Sequence, residues 1–302
     1  MPVITRAQIQ RELTPGLKAL WGLEYNAYPN EWKEIFEFET SEKAFEEELK
    51  LAGFGQAEVK GEGSAVTFDA AQEAWVARYT HETIALGFAI TEEAQEDNLY
   101  DSMGKRYTRA LARAMQYTKE VKCAAVLNRA FNSSYKGGDA KELCATDHPL
   151  VSGGTVSNLS TADLNETALE SAIIQMAAWK DERGLLIAAK AKKLIVPPGL
   201  MYTAKRILDS ELRVGTADND LNAIRSMGSI PQGFRVNHYL TDSNSWYLLT
   251  DIPNGLKFFE RRKVSFKDQE DFQTGSLLYK AVERYSAGWS DPLAVLASAG
   301  AS

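Results

Sequence analysis

The chain has 302 residues, 44% of them hydrophobic and 25% charged, which is the composition of a folded globular protein and excludes wholesale disorder. The length is about twice that of a typical domain, so two domains or one large domain are expected. Acidic residues outnumber basic ones by 41 to 34, and a net charge of −7 gives no whole-molecule attraction for a nucleic acid.

Membrane insertion and secretion are not expected. The longest stretch without Asp, Glu, Lys or Arg covers residues 148–162, and these 15 residues are rich in Gly, Ser and Thr. Charged residues interrupt the first 20 positions, so no apolar core of a secretory signal is present. Cys123 and Cys144 are too few for a disulfide framework in a chain of this size. We therefore expect a cytoplasmic protein with free thiols.

The N-terminal segment predicts two short helices and an acidic surface. Thr5 and Gln8 have capping-box spacing, and Thr14-Pro15 repeats the signal of a cap followed by proline. Residues 31–50 then contain eight carboxylates and three lysines, which supply −5 of the net charge of −7. Such a run is typical of a solvated helical face. The alternative is a contact with a basic patch on another subunit.

Residues 75–90, WVARYTHETIALGFAI, predict one long strand. Sixteen residues would extend on the order of 50 Å, against a usual strand of about 5–6 residues. The first half of the strand is polar on both faces and the apolar face belongs to its second half. We therefore expect the distal part of the strand to project away from the core. Residues 57–69 are the expected partner strand, and residues 70–74 the turn between them. The prediction is a protruding hairpin that needs cover from another surface.

A long helix and a second unit follow. Thr91 is the expected cap, and apolar residues at three- and four-residue steps predict an amphipathic spine helix over residues 99–131, with Gly104 as a candidate break. Residues 135–159 predict a long glycine-rich loop.

The remaining elements form a mixed α/β pattern. They are helices over residues 165–180 and 202–210, and strands over residues 194–196, 234–240 and 246–251, the last two separated by a turn at 241–245. The tail, 258–266 and 277–289, is again extended and is expected to pair with the long strand.

The sequence contains one weak candidate for nucleophilic catalysis, in which Cys144 lies close to Asp147 and His148. Three histidines and two cysteines without metal-ligand spacing predict no zinc site, and no phosphate-binding glycine motif is present. We predict no catalytic residue, no metal and no cofactor. The basic run Arg261-Arg262-Lys263 is typical of an exposed strand edge. The alternative is an ionic contact with the acidic segment of a neighbouring subunit.

The order of an N-terminal arm, a projecting hairpin, a spine helix and an α/β unit resembles the tailed-bacteriophage (Caudoviricetes) major capsid proteins with the Hong Kong 97-type fold, including Mu-like prophage head subunits. Several segments also resemble such subunits in their amino-acid sequence. They are FGQAEVKGEGSAVTFD (54–69), YTHETIALGFAITEEAQEDNLYD (79–101), VLNRAFN (126–132), LCATDHPLVSGGTVSNL (143–159), KLIVPP (193–198), NDLNAI (219–224) and DFQTGSLLYKAVERYSAGWSDP (271–292).

The resemblance implies an α+β fold with four parts. Residues 1–52 would be the N-terminal arm and 53–85 the extended β-hairpin loop. The peripheral domain, with the spine helix, would comprise 86–135 and 255–302, and the axial domain 136–254.

The implied function is structural. The subunit would self-assemble as hexamers and pentamers into an icosahedral shell around packaged double-stranded DNA, in the bacterial cytoplasm, with scaffold, portal and decoration proteins as further partners and without sequence-specific DNA contacts. Two alternatives stay open, an encapsulin-like compartment and a soluble Cys-dependent hydrolase. The residues expected at subunit interfaces are Trp75, Arg78, Tyr79, Arg261, Arg262, Glu46 and Glu47.

Overall fold

The computed structural model describes residues 6–91, 93–94, 100–212 and 220–300, and these form the expected α+β fold. The helices are α1 (Arg6–Ala27), α2 (Tyr100–Asn128), α3 (Glu166–Ala177), α4 (Met201–Asp209) and α5 (Ala223–Ser226). Short 3₁₀ helices cover Glu31–Glu34, Pro198–Leu200 and Pro292–Ala294.

Thirteen strands are described. They are β1 (Glu37–Thr40), β2 (Phe45–Ala52), β3 (Gln72–Thr80), β4 (Glu82–Ile90), β5 (His148–Pro149), β6 (Thr155–Val156), β7 (Leu159–Ser160), β8 (Ala191–Val196), β9 (Phe234–Val236), β10 (Trp246–Thr250), β11 (Leu256–Glu270), β12 (Leu277–Trp289) and β13 (Val295–Ser298).

The first sheet has the strand order β1-β11-β12-β4, with α1 and α2 against one face. Trp21 of α1 stacks on Phe266 of β11 at 5.2 Å between ring centroids, and Met115 of α2 packs in the same cluster. The tail therefore returns to pair with the second half of the predicted long strand, residues 82–90, as expected. The spine helix is confirmed, and it continues through Gly104, which is buried and where an added Cβ atom would lie within 4 Å of Leu17 and Ile90.

The second sheet has the order β7-β13-β10-β8-β9, with α3 and α4 in the same hydrophobic core. Asn165 caps α3 by accepting the N–H of Ala168. The predicted turn at 241–245 does not make neighbours of β9 and β10, because β8 lies between them and is buried at every position but Lys192. Strand β13 also belongs to this sheet, although residues 255–302 were assigned to the peripheral domain.

The long strand of the sequence analysis is two strands, β3 and β4, which meet at His81. Strand β4 pairs with β12, whereas β3 pairs with β2 in a two-stranded ribbon. The predicted partner, residues 57–69, forms no strand, and residues 72–74 belong to β3 rather than to a turn. The reason is burial, since the register with β2 places Ala77 and Tyr79 against Phe259 of the first sheet.

Two N-terminal predictions are also wrong. Helix α1 continues through Thr14-Pro15 instead of ending there, because Leu17, Trp21 and Tyr25 recur at helical spacing and are buried. The acidic residues 31–50 form a 3₁₀ turn and two strands rather than a helical face, because Trp32 and Phe36 anchor the segment in the core. Of the helices within the described ranges, none has the length and hydropathy to cross a bilayer.

Candidate assembly surface

The β2–β3 ribbon lies on the face of the first sheet that is turned away from the helices. Tyr79 is its central contact, since the ring packs edge-on to Phe259 at 4.8 Å and its hydroxyl lies 2.5 Å from Ser290 Oγ. Burial raises the pKa of Tyr79. Gly288 lies beneath the ring, where a Cβ atom would be 2.9 Å from Tyr79 Cε1. Tyr79, predicted at a subunit interface, is thus an anchor within the subunit.

A buried lysine joins the ribbon to β1 and β11. Lys257 Nζ lies 2.9 Å from Glu39 and also contacts Glu48, whose second oxygen accepts the hydroxyl of Ser290 at 2.7 Å. Burial lowers the pKa of Lys257, but the hydrogen bonds to Glu48 and Glu39 outweigh it and raise the value overall. The cation therefore fixes the ribbon to the sheet.

A second lysine holds the far end of β2. Lys50 Nζ lies 3.2 Å from Glu182 and 2.8 Å from Asp291, and 4.7 Å from the centroid of the Trp75 ring. The indole N–H of Trp75 donates to the carbonyl of Ser290 at 3.4 Å. Trp75 is therefore half-buried at the base of the ribbon rather than free for a neighbour.

Between β2 and β3, residues 53–71 form a long connection that we call the exposed loop. Its ends are tied together, because Asp69 accepts the N–H of Gly55 at 2.7 Å and Arg183 Nη2 at 2.8 and 2.9 Å. The Gly55 hydrogen bond, with help from Arg183, lowers the pKa of Asp69. From residue 56 to residue 71 every side chain is exposed.

The exposed loop carries apolar side chains that no described part of the subunit covers. Val59 and Phe68 are 101% and 94% exposed, and Phe54 and Val66 about 60%. Uncovered apolar side chains grouped on one segment mark a surface for association. The projecting hairpin was predicted, but its free part is this loop rather than a paired ribbon.

The other predicted interface residues lie in two separate places. Arg78 lies over the Phe45 ring at 3.9 Å and 3.8 Å from Glu47, on the exposed face of the ribbon. Glu46 accepts the hydroxyl of Ser41 at 2.7 Å and pairs with Lys43. Arg261 and Arg262 lie at a bulge of β11. The ribbon register places Glu46 opposite Tyr79 and Glu47 opposite Arg78, whereas Arg261 and Arg262 belong to the first sheet.

His81, which sequence reasoning missed, occupies the junction between ribbon and sheet. Its Nδ1 lies 2.9 Å from Ser286 Oγ and its Nε2 3.0 Å from Ser41 Oγ. Burial lowers the pKa of His81, and the positive charge of Arg284 lowers it further. A polar residue at the centre of a predicted strand was the available signal for this bend.

The candidate nucleophile has no catalytic surroundings. Cys144 is buried in the main core, and burial raises its pKa, so the thiolate is disfavoured. His148 lies 2.5 Å from Asp139 and 3.0 Å from Asn158, while Asp147 pairs with Lys141. Asp147 and His148 therefore pair with residues other than Cys144, and the weak candidate for nucleophilic catalysis gains no support. Within the described ranges no cluster of His, Cys, Asp and Glu could hold a metal ion.

The arrangement of a spine helix on a sheet, an α/β unit and a long exposed loop defines a class of protein, the shell subunit with the Hong Kong 97-type fold. A family model described as phage capsid protein matches residues 75–298. The chain belongs to this family, and it is a structural capsid protein.

Solved structures agree with this fold. The capsid of an empty GTA particle gives a TM-score of 0.55 at 13% identity over 93% of this chain and 97% of that chain. A virus-like particle from Pyrococcus furiosus gives 0.54 at 12% over 94% and 98%. The procapsid of bacteriophage JBD30 gives 0.52 at 16% over 98% and 76%. No curated protein matches the chain.

Proposed function

We propose that the protein is the major head subunit of a tailed phage, which assembles as hexamers and pentamers into an icosahedral shell around packaged double-stranded DNA. The observation that carries the proposal is the exposed loop, whose apolar side chains need a second surface. Each subunit lays this loop over a neighbour, and closed symmetry then covers every loop in the shell. Scaffold, portal and decoration proteins are further partners, and assembly takes place in the host cytoplasm.

The acidic composition supports a container for DNA. A net charge of −7 on each subunit, repeated over hundreds of copies, opposes adhesion of the phosphate backbone to the shell. Weak adhesion allows DNA to enter during packaging and to leave during ejection. No residue of this chain needs to recognise a base sequence for that role.

The second candidate is the shell of a protein compartment. It is favoured by the similarity to the virus-like particle from Pyrococcus furiosus, which covers 94% of this chain. In that case the shell would enclose a protein cargo, and the exposed loop would serve the same contact between subunits.

Electron microscopy and analysis of the contents separate these functions. We expect the purified protein to form closed particles, and particles isolated from the bacterium that carries the gene to contain nuclease-protected double-stranded DNA. Particles that hold a co-purifying protein and no DNA would instead support the compartment. A soluble monomer at all protein concentrations would contradict both.

A further inference from the structure

His148 is a buried histidine with a polar partner at each ring nitrogen. It lies in the glycine-rich loop at the start of β5, and its side chain is 1% exposed. Its Nδ1 atom lies 2.5 Å from a carboxylate oxygen of Asp139, and its Nε2 atom lies 3.0 Å from the amide oxygen of Asn158. Both neighbours of the ring are therefore oxygen atoms, and the other hydrogen bonds of these oxygens decide how many protons the ring carries.

The orientation of the Asn158 amide is fixed by its other partners. Its nitrogen donates to three main-chain carbonyl oxygens at 2.8, 2.8 and 3.0 Å, those of Leu143, Pro292 and Val295. Its oxygen accepts the N–H of Ala145 at 2.9 Å. A rotated amide would place its oxygen against the three carbonyls and its nitrogen against the N–H of Ala145. The Asn158 atom that faces His148 Nε2 is therefore an acceptor, and Nε2 must carry a proton.

The Asp139 carboxylate is fixed in the same way. Its side chain is fully buried, and its second oxygen accepts the N–H of Lys141 at 3.1 Å. A neutral imidazole has one N–H, and Nε2 uses it, so Nδ1 would turn a lone pair towards the carboxylate at 2.5 Å. Two buried acceptors in contact repel each other and lack a hydrogen bond. A second proton on the ring of His148 gives both nitrogens a hydrogen bond to donate.

We infer that His148 is an imidazolium cation at neutral pH, and that its extra proton fastens the glycine-rich loop to the C-terminal tail as a pH-sensitive latch. Imidazole is a stronger base than a carboxylate, so the proton resides on the ring and Asp139 remains an anion. The cation donates to Asp139 and Asn158, and Asn158 donates to the carbonyls of Pro292 and Val295. Strand β13, which begins at Val295, belongs to the second sheet. The inference goes beyond the proposed function and does not rest on it.

The charged groups around this ion pair belong to the glycine-rich loop. Lys141 pairs with Asp147, the residue before His148, and Glu142 is the other carboxylate close to Lys141. The hydrogen bond from Lys141 lowers the pKa of Asp147, and the positive charge of His148 lowers it further. The tail contributes main-chain carbonyls, and among the described residues none of its side chains that bonds to this cluster carries a charge. The carboxylates thus favour the cation, and no cation of the tail opposes it.

The latch should weaken as pH rises. A histidine in an unfolded chain loses its proton near a pH of about 6.5, whereas the folded chain keeps the proton of His148. The unfolding equilibrium constant should therefore increase with pH, by at most about tenfold per pH unit for one proton, until the folded chain also loses it. The range above pH 7 separates this effect from that of Glu120, which ends at its folded pKa of about 7.

Asp139→Asn separates the proton from the packing of the side chain. The amide oxygen can still accept the N–H of Lys141 while the amide nitrogen donates to Nδ1, so a neutral His148 satisfies both of its neighbours. Between pH 7 and 8 the unfolding equilibrium constant of the wild type should rise relative to that of this variant, by up to about tenfold. The matched control, Asp147→Asn, removes the adjacent exposed carboxylate and should keep the pH dependence of the wild type. Equal pH dependence of the wild type and Asp139→Asn overturns the inference.

NMR of protein that carries nitrogen-15 in its histidine rings reads the protons directly, and in the solid state it applies to free subunits and to assembled particles alike. The signals of His148 are those that disappear in His148→Gln. At neutral pH we expect both ring nitrogens of His148 to be protonated in the wild type, and one of them to be bare in Asp139→Asn. A bare ring nitrogen in the wild type overturns the inference. Where Asp139→Asn does not fold, this measurement on the wild type decides.

Discussion

Glu120 connects helix α2 to the N-terminal segment through backbone hydrogen bonds. Its two carboxylate oxygens accept the N–H groups of Glu31 at 2.9 Å and of Trp32 at 3.1 Å. The Trp32 ring lies 4.2 Å from that of Phe258, so this contact fixes the entry of the chain into the core. Burial raises the pKa of Glu120 to about 7, and the charge of Glu31 adds to the effect.

We predict that stability falls with rising pH because of this residue. Between its unfolded pKa of about 4.5 and the folded value of about 7, the native state keeps a proton that the unfolded state has lost, so the free energy of unfolding decreases as pH rises. The slope is at most about 1.4 kcal/mol per pH unit. The free energy of unfolding of the wild type, measured with urea, should therefore decrease between pH 5 and 7 relative to that of Glu120→Gln.

The control for this measurement is Glu42→Gln, which changes an exposed carboxylate of the same acidic segment. The free energy of unfolding of this variant should depend on pH in the same way as that of the wild type. Parallel stability curves for the wild type and Glu120→Gln would contradict the prediction.

Single residues also show what could not be predicted from the sequence. The acidic run was visible, but its partners were not, because Glu34 pairs with Lys193 and Arg235, and Glu31 with His238. These partners lie between 159 and 207 residues away along the chain. Composition reports the charge of a segment, whereas the fold decides which charges meet.

At the scale of elements, locally determined structure was predicted well. Helix α2 follows from its apolar periodicity, and α3 and α4 from their apolar faces, and all three lie within a few residues of the expected bounds. Strands β11 and β12 also lie where expected. Each of these elements carries its own pattern over enough residues to define its type.

The β2–β3 ribbon was not predicted because two upstream segments have an alternation of apolar and polar residues that could pair with β3. Residues 57–69 and β2 are both extended segments upstream of β3, and both alternate in character. The choice is made by distant contacts, in which Tyr79 packs on Phe259 and Lys257 pairs with Glu48. Such contacts leave no signal in the local sequence, so residues 57–69 were predicted as the partner strand.

We predict that deleting residues 57–67 yields a folded subunit that does not assemble. Every residue of this segment is exposed, and the deletion joins Gln56 to Phe68, next to the existing Gly55–Asp69 hydrogen bond. Circular dichroism should match the wild type, and the melting temperature should change by only a few degrees. Particle yield, measured by sedimentation, should fall at least tenfold.

The matched control for the deletion replaces the same residues by an equal number of Gly and Ser. It keeps the length of the loop and removes its side chains, so assembly should be lost here too if the side chains make the contact. Shells formed by the deletion variant would show that the loop has no role in assembly.

At the scale of the whole molecule, two sheets share one continuous core. Cys144 from the glycine-rich loop, Leu127 from α2, Tyr247 from β10 and Phe258 from β11 lie in one cluster, so the two units are packed against each other. The ribbon is tied to the first sheet through Tyr79, and the exposed loop is tied to the second unit through Arg183. A subunit with one continuous core and one exposed loop can make the same contact at every position of a shell.

The most direct test of this account is a cryo-EM reconstruction of particles assembled from the full chain. We expect a closed icosahedral shell in which density for residues 53–71 leaves its own subunit and lies on a neighbour. An open or non-icosahedral aggregate, or a closed shell in which the loop folds back on its own subunit, would contradict it.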